Sequence, residues 1–336
     1  MLPEARWWRA ADGNRVVCEL CSRLCVLAEG KSGYCSVRMN EGGHLRTAVY
    51  GFSSGYCVDP MEKKPLYHFL PGTSVLSFGT VGCNLGCIFC QNWSLSDHAP
   101  LEDLLPAVPK KLVQAALAEG CSALAFTYNE PAISAEFCID VAEVARTSGL
   151  RTVAVTSGYI QGPAREAFFA AMDGANVDLK GFSESFYKRF CGGRLEPVLE
   201  TLEYLGRQPQ TWLEITTLLI PGANDDPDEI RQLSRWIATH VGTDVPLHFS
   251  AFHPDHHLTD ASPTPITMLR RAREIALEEG LHYVYLGNVR DREGSSTHCP
   301  HCGQPVILRD GFRLEALQIS HGACTICGAT IPGVFE

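Results

Sequence analysis

Gly79-Thr80-Val81-Gly82-Cys83-Asn84-Leu85-Gly86-Cys87-Ile88-Phe89-Cys90 follows an apolar run at residues 75–80 and spaces its three cysteines C-x3-C-x2-C. Three thiolates can hold three irons of a [4Fe–4S] cluster and leave the fourth iron without a protein ligand, as an open catalytic zinc site keeps one position for substrate. Gly82 and Gly86 let the loop wrap closely around such a group. A zinc knuckle or an ordinary electron-transfer cluster needs a fourth ligand nearby, and the nearest histidine is His98. A loop at the C-terminal end of a strand is where β/α barrels place their chemistry.

Outward from this loop, short apolar runs alternate with helix-period stretches. Strands are expected at residues 75–80, 123–128, 152–156, 176–180, 212–219, 247–251 and 283–286. Helices are expected at 109–119, 132–148, 163–172, 227–238 and 265–279, several opening on proline in the first turn. Repeated βα units predict an α/β fold, a partial (β/α)6 barrel over residues 75–290. Residues 1–74 are rich in Gly and Cys, with Pro60, Pro65 and Pro71 near the end, and read as a loop-rich N-terminal module. Beyond Asn288 the periodicity stops, and residues 291–336 read as a separate Cys-bearing ribbon.

The 336 residues are 45% hydrophobic, which suits one large core with appendages. A net charge of −10 gives no basic footprint for nucleic acid or anionic membrane, so a small molecule or a protein partner is expected. No apolar run approaches the roughly 20 residues that cross a bilayer, and no signal-like apolar stretch opens the chain. A cytoplasmic location is the expectation.

Fifteen cysteines in a reducing compartment point to metal ligation before disulfides. Cys299, Cys302, Cys324 and Cys327 form two C-x2-C knuckles, each followed by glycine, the pattern of a structural zinc ribbon, with a rubredoxin-like iron as the alternative. Cys18, Cys21, Cys25 and Cys35 suffice for one closed site, and zinc or a second [4Fe–4S] cluster both fit. Cys57, Cys121, Cys138 and Cys191 stand apart and read as buried small hydrophobes.

Cys83, Cys87 and Cys90, with Phe89 before the last cysteine, resemble the C-x3-C-x-aromatic-C signature of the radical S-adenosylmethionine (SAM) superfamily. The resemblance implies that the amino and carboxylate groups of SAM chelate the open iron and that one electron cleaves SAM to a 5′-deoxyadenosyl radical, which abstracts hydrogen from a substrate. Thr127-Tyr128-Asn129-Glu130-Pro131 resembles the segment whose acidic residue receives the SAM ammonium, which implies Glu130, with a helix start capped by Asn129 as the other reading. Thr156-Ser157-Gly158 stands where relatives often have Asn before Gly, and implies a ribose contact at Ser157. Asp178-Leu179-Lys180 resembles the Asp-x-Lys segment of glycyl-radical activating enzymes, whose charges lie near SAM. Alternation puts Asp178 and Lys180 on one face, as it does Glu214 and Thr216, which are pocket candidates. A mutual Asp178–Lys180 ion pair is the other reading. The segment from His248 to His257 resembles those enzymes' Phe-His segment and implies His253 beside the SAM carboxylate. His256 and His257 read as structural or solvated, with a transition-metal site the weaker reading. Lys63 and Lys64, in the charged turn before the barrel, are candidate substrate contacts.

Taken in order along the chain, these motifs are similar to the radical SAM enzymes of the AmmeMemoRadiSam system, related to pyruvate formate-lyase activating enzymes. That resemblance implies MEMO-like and AMMECR-like partner proteins and a reductant such as ferredoxin or flavodoxin. The substrate stays open. A glycyl-radical enzyme activating protein and a noncatalytic iron–sulfur electron-transfer protein are the alternatives.

Overall fold

The computed structural model describes residues 2–97 and 100–336, so His98 lies outside the described residues. Its centre is an open sheet of eight strands in sequential order. Strand β1 (Tyr56–Pro60) runs antiparallel to β2 (Ser74–Phe78). The parallel strands β3 (Ala123–Phe126), β4 (Arg151–Thr156), β5 (Gly174–Asp178), β6 (Trp212–Leu219), β7 (Leu247–Ala251) and β8 (Val284–Gly287) follow. The crossovers carry helices α1 (Pro109–Ala118), α2 (Ala135–Thr147), α3 (Gly162–Ala170), α4 (Glu196–Gly206), α5 (Pro227–His240) and α6 (Ile266–Glu278). Sequential order with a helix at every parallel crossover is the topology of an incomplete β/α barrel. The edge strand β1 comes from the N-terminal stretch.

The local reasons are visible in the strands and helices themselves. β3 is Ala-Leu-Ala-Phe and wholly buried, as a strand covered on both faces must be. In α5, Ile230, Leu233, Ser234 and Ile237 are buried at helical spacing, Pro227 opens the first turn, and Asp226 caps it by accepting from the amides of Asp228 and Glu229. α4 was not among the expected helices, although Val198, Leu202 and Leu205 give it a helical stripe. Ahead of it, a short π-helical turn, Tyr187–Cys191, ends at Gly192 with φ of 61°. Strands β2 and β3 end earlier than expected. The chain turns out at Gly79, where a Cβ would stand 2.5 Å from the Thr127 carbonyl oxygen.

The N-terminal module is a set of short antiparallel pairs, among them Trp8–Ala11 with Arg15–Cys18 and Arg38–Glu41 with His44–Thr47. It is tied to α2 by Arg38, which is 1% exposed and forks onto both Glu136 oxygens at 2.9 Å. The C-terminal ribbon pairs Thr297–His298, Pro305–Asp310 and Arg313–Leu317. It closes the end of the barrel opposite the cluster loop. There Arg309 reaches Glu62, the Tyr67 carbonyl and Thr297, and His68 hydrogen-bonds Tyr285 and the Pro332 carbonyl.

Two expectations fail in this region. Glu214 is fully buried and accepts from the Tyr67 and His68 amides, Trp212 and His248, so it pins the 67–68 segment rather than facing a pocket. Lying two residues before Thr216 on one face sets it a layer deeper along the strand. Cys57 is exposed, because β1 is an edge strand, whereas Cys121, Cys138 and Cys191 are buried. Among the described residues no helix is long and apolar enough to cross a membrane.

Candidate functional site

A cavity of about 620 Å³ opens at the C-terminal ends of the parallel strands, and Cys83, Cys87 and Cys90 all line it. The cluster loop is shaped from three sides. Asn129 accepts from the Thr80 amide at 2.9 Å and donates to the Gly82 carbonyl at 2.9 Å, fastening the loop to the end of β3. The Gly86 and Ile88 amides donate to the carbonyls of Cys191 and Phe190 at 2.9 Å. Gly82 has φ of 88°, and a Cβ there would lie 2.3 Å from the Cys35 carbonyl oxygen, so only glycine fits. Asn129 is therefore a brace of the loop rather than the helix cap, and the cap is Glu130, which accepts from the Ala132 amide.

Burial, together with the Glu130 charge, pushes the Cys83 thiol well above its usual pKa, and a hydrogen bond with Cys191 followed by burial does the same to Cys87. Burial raises the Cys90 thiol as well, and a cation among the three would favour their thiolate forms, which fits a metal cluster. Cys191 thus stands against Cys87. The sequence offers no signal for this, since the contact depends on the π turn.

The other cavity walls are the strand ends. Glu130, at the end of β3, accepts from Thr156 Oγ1 and the Ala132 amide on one oxygen and from the Ser157 amide and hydroxyl on the other. Its four lone-pair positions are filled, so it meets a bound cation through its charge. Ser157 is 5% exposed and lines the same wall. Asp178 and Lys180 both line the cavity and pair at 3.0 Å, so the mutual ion pair is made. Burial disfavours the charged Lys180, yet Asp178 and the neighbouring thiols outweigh it and hold its pKa above the usual value. Thr216 lines the cavity from β6 and is 7% exposed, and its Oγ1 is buried with no hydrogen-bond partner. A buried hydroxyl without a partner, on a residue that lines the cavity, is a group a polar ligand could satisfy. Tyr128, also in the lining, is held at φ of 74°, a strained conformation for an aromatic residue.

His253 is exposed and stands outside the lining, which takes His256 and His257 instead. His256 stacks on Trp93, and ligand atoms of Asp97, His256 and His257 lie within 4.8 Å of one another at the rim. Neither Lys63 nor Lys64 faces the cavity. Both neutralise Asp59, at 2.8 and 2.9 Å.

The C-terminal cysteines are drawn together, with Cys299–Cys327 and Cys302–Cys324 sulfurs 3.7 and 3.9 Å apart. A zinc ion with Zn–S bonds of about 2.3 Å sets tetrahedral sulfurs about 3.8 Å apart, so the spacing fits zinc. Cys299 lies near Tyr283, just before β8, whereas Asn288, just after β8, lines the cavity. The ribbon site is thus at the far end of the barrel from the cavity. Cys18, Cys21, Cys25 and Cys35 surround a second, smaller cavity.

The radical SAM superfamily model matches residues 78–234, the span from the end of β2 through most of α5. The chain belongs to the radical SAM superfamily. This radical SAM enzyme is 41% identical over 333 residues to an uncharacterized protein of Methanocaldococcus jannaschii, covering 98% of each chain. It is 27% identical over 166 residues to the pyruvate formate-lyase-activating enzyme of Clostridium pasteurianum, covering 46% of this chain and 66% of that one. Among solved structures, Streptococcus suis SuiB bound to precursor peptide SuiA shares the fold, with a TM-score of 0.51 at 13% identity over 68% of this chain and 51% of that one. The superfamily implies a [4Fe–4S] cluster and SAM. The three-cysteine loop, its glycines and the orphaned Thr216 hydroxyl fit both.

Proposed function

We propose that Cys83, Cys87 and Cys90 hold a [4Fe–4S] cluster and that the adjoining cavity holds SAM, between the cluster loop and the ends of strands β3 to β8. The carrying observation is that the three thiols and the polar strand ends share one cavity. When bound, the cluster and SAM supply a 5′-deoxyadenosyl radical, which abstracts hydrogen from the substrate.

The protein's contribution is placement and charge. Glu130, held by four donors, puts a fixed negative charge where a SAM ammonium is received. The Asp178–Lys180 pair presents both signs to a zwitterionic methionyl group, and Ser157 and Thr216 offer hydroxyls to its polar atoms. Trp93 and His256, stacked at the rim, narrow the mouth and limit water. His253, exposed and away from the lining, has no part in this arrangement.

The order of motifs along the chain supports placing this enzyme in an AmmeMemoRadiSam-type system, with MEMO-like and AMMECR-like partners and a ferredoxin or flavodoxin as reductant. A cytoplasmic location goes with that reductant. Zinc in the C-terminal ribbon is supported by its sulfur spacing. A second reading, activation of a glycyl-radical enzyme, is favoured by the Clostridium pasteurianum relative. The two differ in whether the hydrogen donor is a protein glycine.

The test is anaerobic. Protein loaded with iron and sulfide is given SAM and dithionite, and 5′-deoxyadenosine is followed by chromatography beside a Cys87→Ala control. Product that disappears in the control is expected. A correctly loaded cluster that gives no product, and whose EPR signal ignores SAM, overturns the proposal.

A further inference from the structure

Three groups of cysteines in this chain differ in how closely their sulfurs approach. Among the described residues, the C-terminal four bring all their sulfurs within 4.8 Å of one another, as a single zinc ion requires. No three of Cys18, Cys21, Cys25 and Cys35 do so, and neither do Cys83, Cys87 and Cys90. The N-terminal four nevertheless converge, because all of them line one small cavity. Three of the four are buried. Sulfurs that face a common space without approaching one another match a polynuclear cluster, in which each thiolate sits on its own iron or shares one of several.

A second observation points to an anionic occupant. Arg38 lines the same cavity, is 1% exposed, and leaves its Nε without a hydrogen-bond partner while both terminal nitrogens are taken by Glu136 and backbone carbonyls. A guanidinium edge turned toward four thiols is suited to a cluster whose thiolates and sulfides carry net negative charge. The cavity also abuts the first site. Tyr34 lines both cavities, and the Cys35 carbonyl is the atom that a Cβ at Gly82, next to Cys83, would strike.

We infer that Cys18, Cys21, Cys25 and Cys35 hold a second iron–sulfur cluster, fully ligated by protein, one wall away from the SAM-binding cluster. With no open iron it does not bind SAM. The inference stands apart from the proposed function, because the N-terminal site is complete without the loop cysteines.

The experiment compares acid-labile sulfide, zinc and EPR in anaerobically purified wild type and in a variant with Cys83, Cys87 and Cys90 all changed to Ala. The variant is expected to keep about two to four sulfides per chain, as two- or four-iron clusters carry. Its dithionite-reduced EPR signal should be unchanged by SAM, and a further Cys18→Ser and Cys35→Ser change should remove the sulfide. Sulfide-free variant protein overturns the inference, whether or not it carries extra zinc. If the variant does not fold, wild type decides: sulfide above about four per chain supports a second cluster, and about four overturns it. Failure of the radical SAM reading would show instead as wild-type protein whose EPR signal ignores SAM.

Discussion

Thr216 shows how a single side chain reports on a ligand. Its hydroxyl is buried and unpartnered on a residue that lines the cavity, a cost the free protein carries and a bound polar group would remove. Thr216→Val is therefore expected to act in opposite directions on the two states. The free protein should melt at a higher temperature, and SAM should bind about 5- to 10-fold more weakly, for a lost hydrogen bond of about 1 kcal/mol or slightly more. Iron content should not change. Equilibrium binding and thermal melts on the same samples check both signs. Glu214, on the same strand face, shows the opposite case: every partner it has is protein, and its site is structural.

Among the elements, the cluster loop is held by neighbours distant in sequence. Asn129 from the end of β3 and the Cys191 turn fix its backbone, and the Cys35 segment presses on Gly82. Gly82→Ala combines a left-handed backbone with a contact that cannot form, and is expected to cost more than about 1 kcal/mol. Because the displaced residue adjoins Cys83, iron content should fall together with the melting temperature. A variant that melts earlier yet keeps full iron would show that the Cys35 contact does not shape the loop. At the other end of the barrel, Arg309 and Glu62 are both fully buried. Arg309→Met strands the Glu62 carboxylate and is expected to cost about 3–5 kcal/mol. Denaturant unfolding measures it.

For the whole molecule, the ribbon and the barrel are joined through a titratable knot. His68 is fully buried, and its Nδ1 donates to the Pro332 carbonyl, so Nε2 accepts from Tyr285. Burial lowers its pKa to about 4 against an opposing pull from Glu214, and Arg309 and His248 also face it. Above about pH 6.5 the ring is neutral in folded and unfolded chains alike and contributes no pH dependence. As pH falls from there to about 4, the unfolded chain takes up a proton that the folded one refuses, and stability declines by up to about 3 kcal/mol. His68→Gln should flatten that part of the stability-against-pH curve. An unchanged slope between pH 6.5 and 4 would assign the loss to other groups.

Periodicity and punctuation along the chain were enough for the alternating β and α segments other than β1 and α4, because apolar spacing and proline at helix starts are local signals. The same holds for the three-cysteine loop and the paired C-x2-C knuckles, whose chemistry is written in residue type and short spacing. What folding alone decided is every contact between segments far apart. It gave Glu130 its four donors and made Asn129 the brace, tied Glu214 to the 67–68 segment and His248, set His256 and His257 rather than His253 at the cavity, and put Cys191 against Cys87. It also separated the cysteine groups by sulfur spacing, tight in the ribbon and wide in the other two, a distinction that C-x2-C and C-x3-C do not carry. The physical reason is one of range. Helix and strand preferences act over a few residues, whereas the depth of a side chain and the distance between ligands depend on how the whole sheet and its covering loops pack.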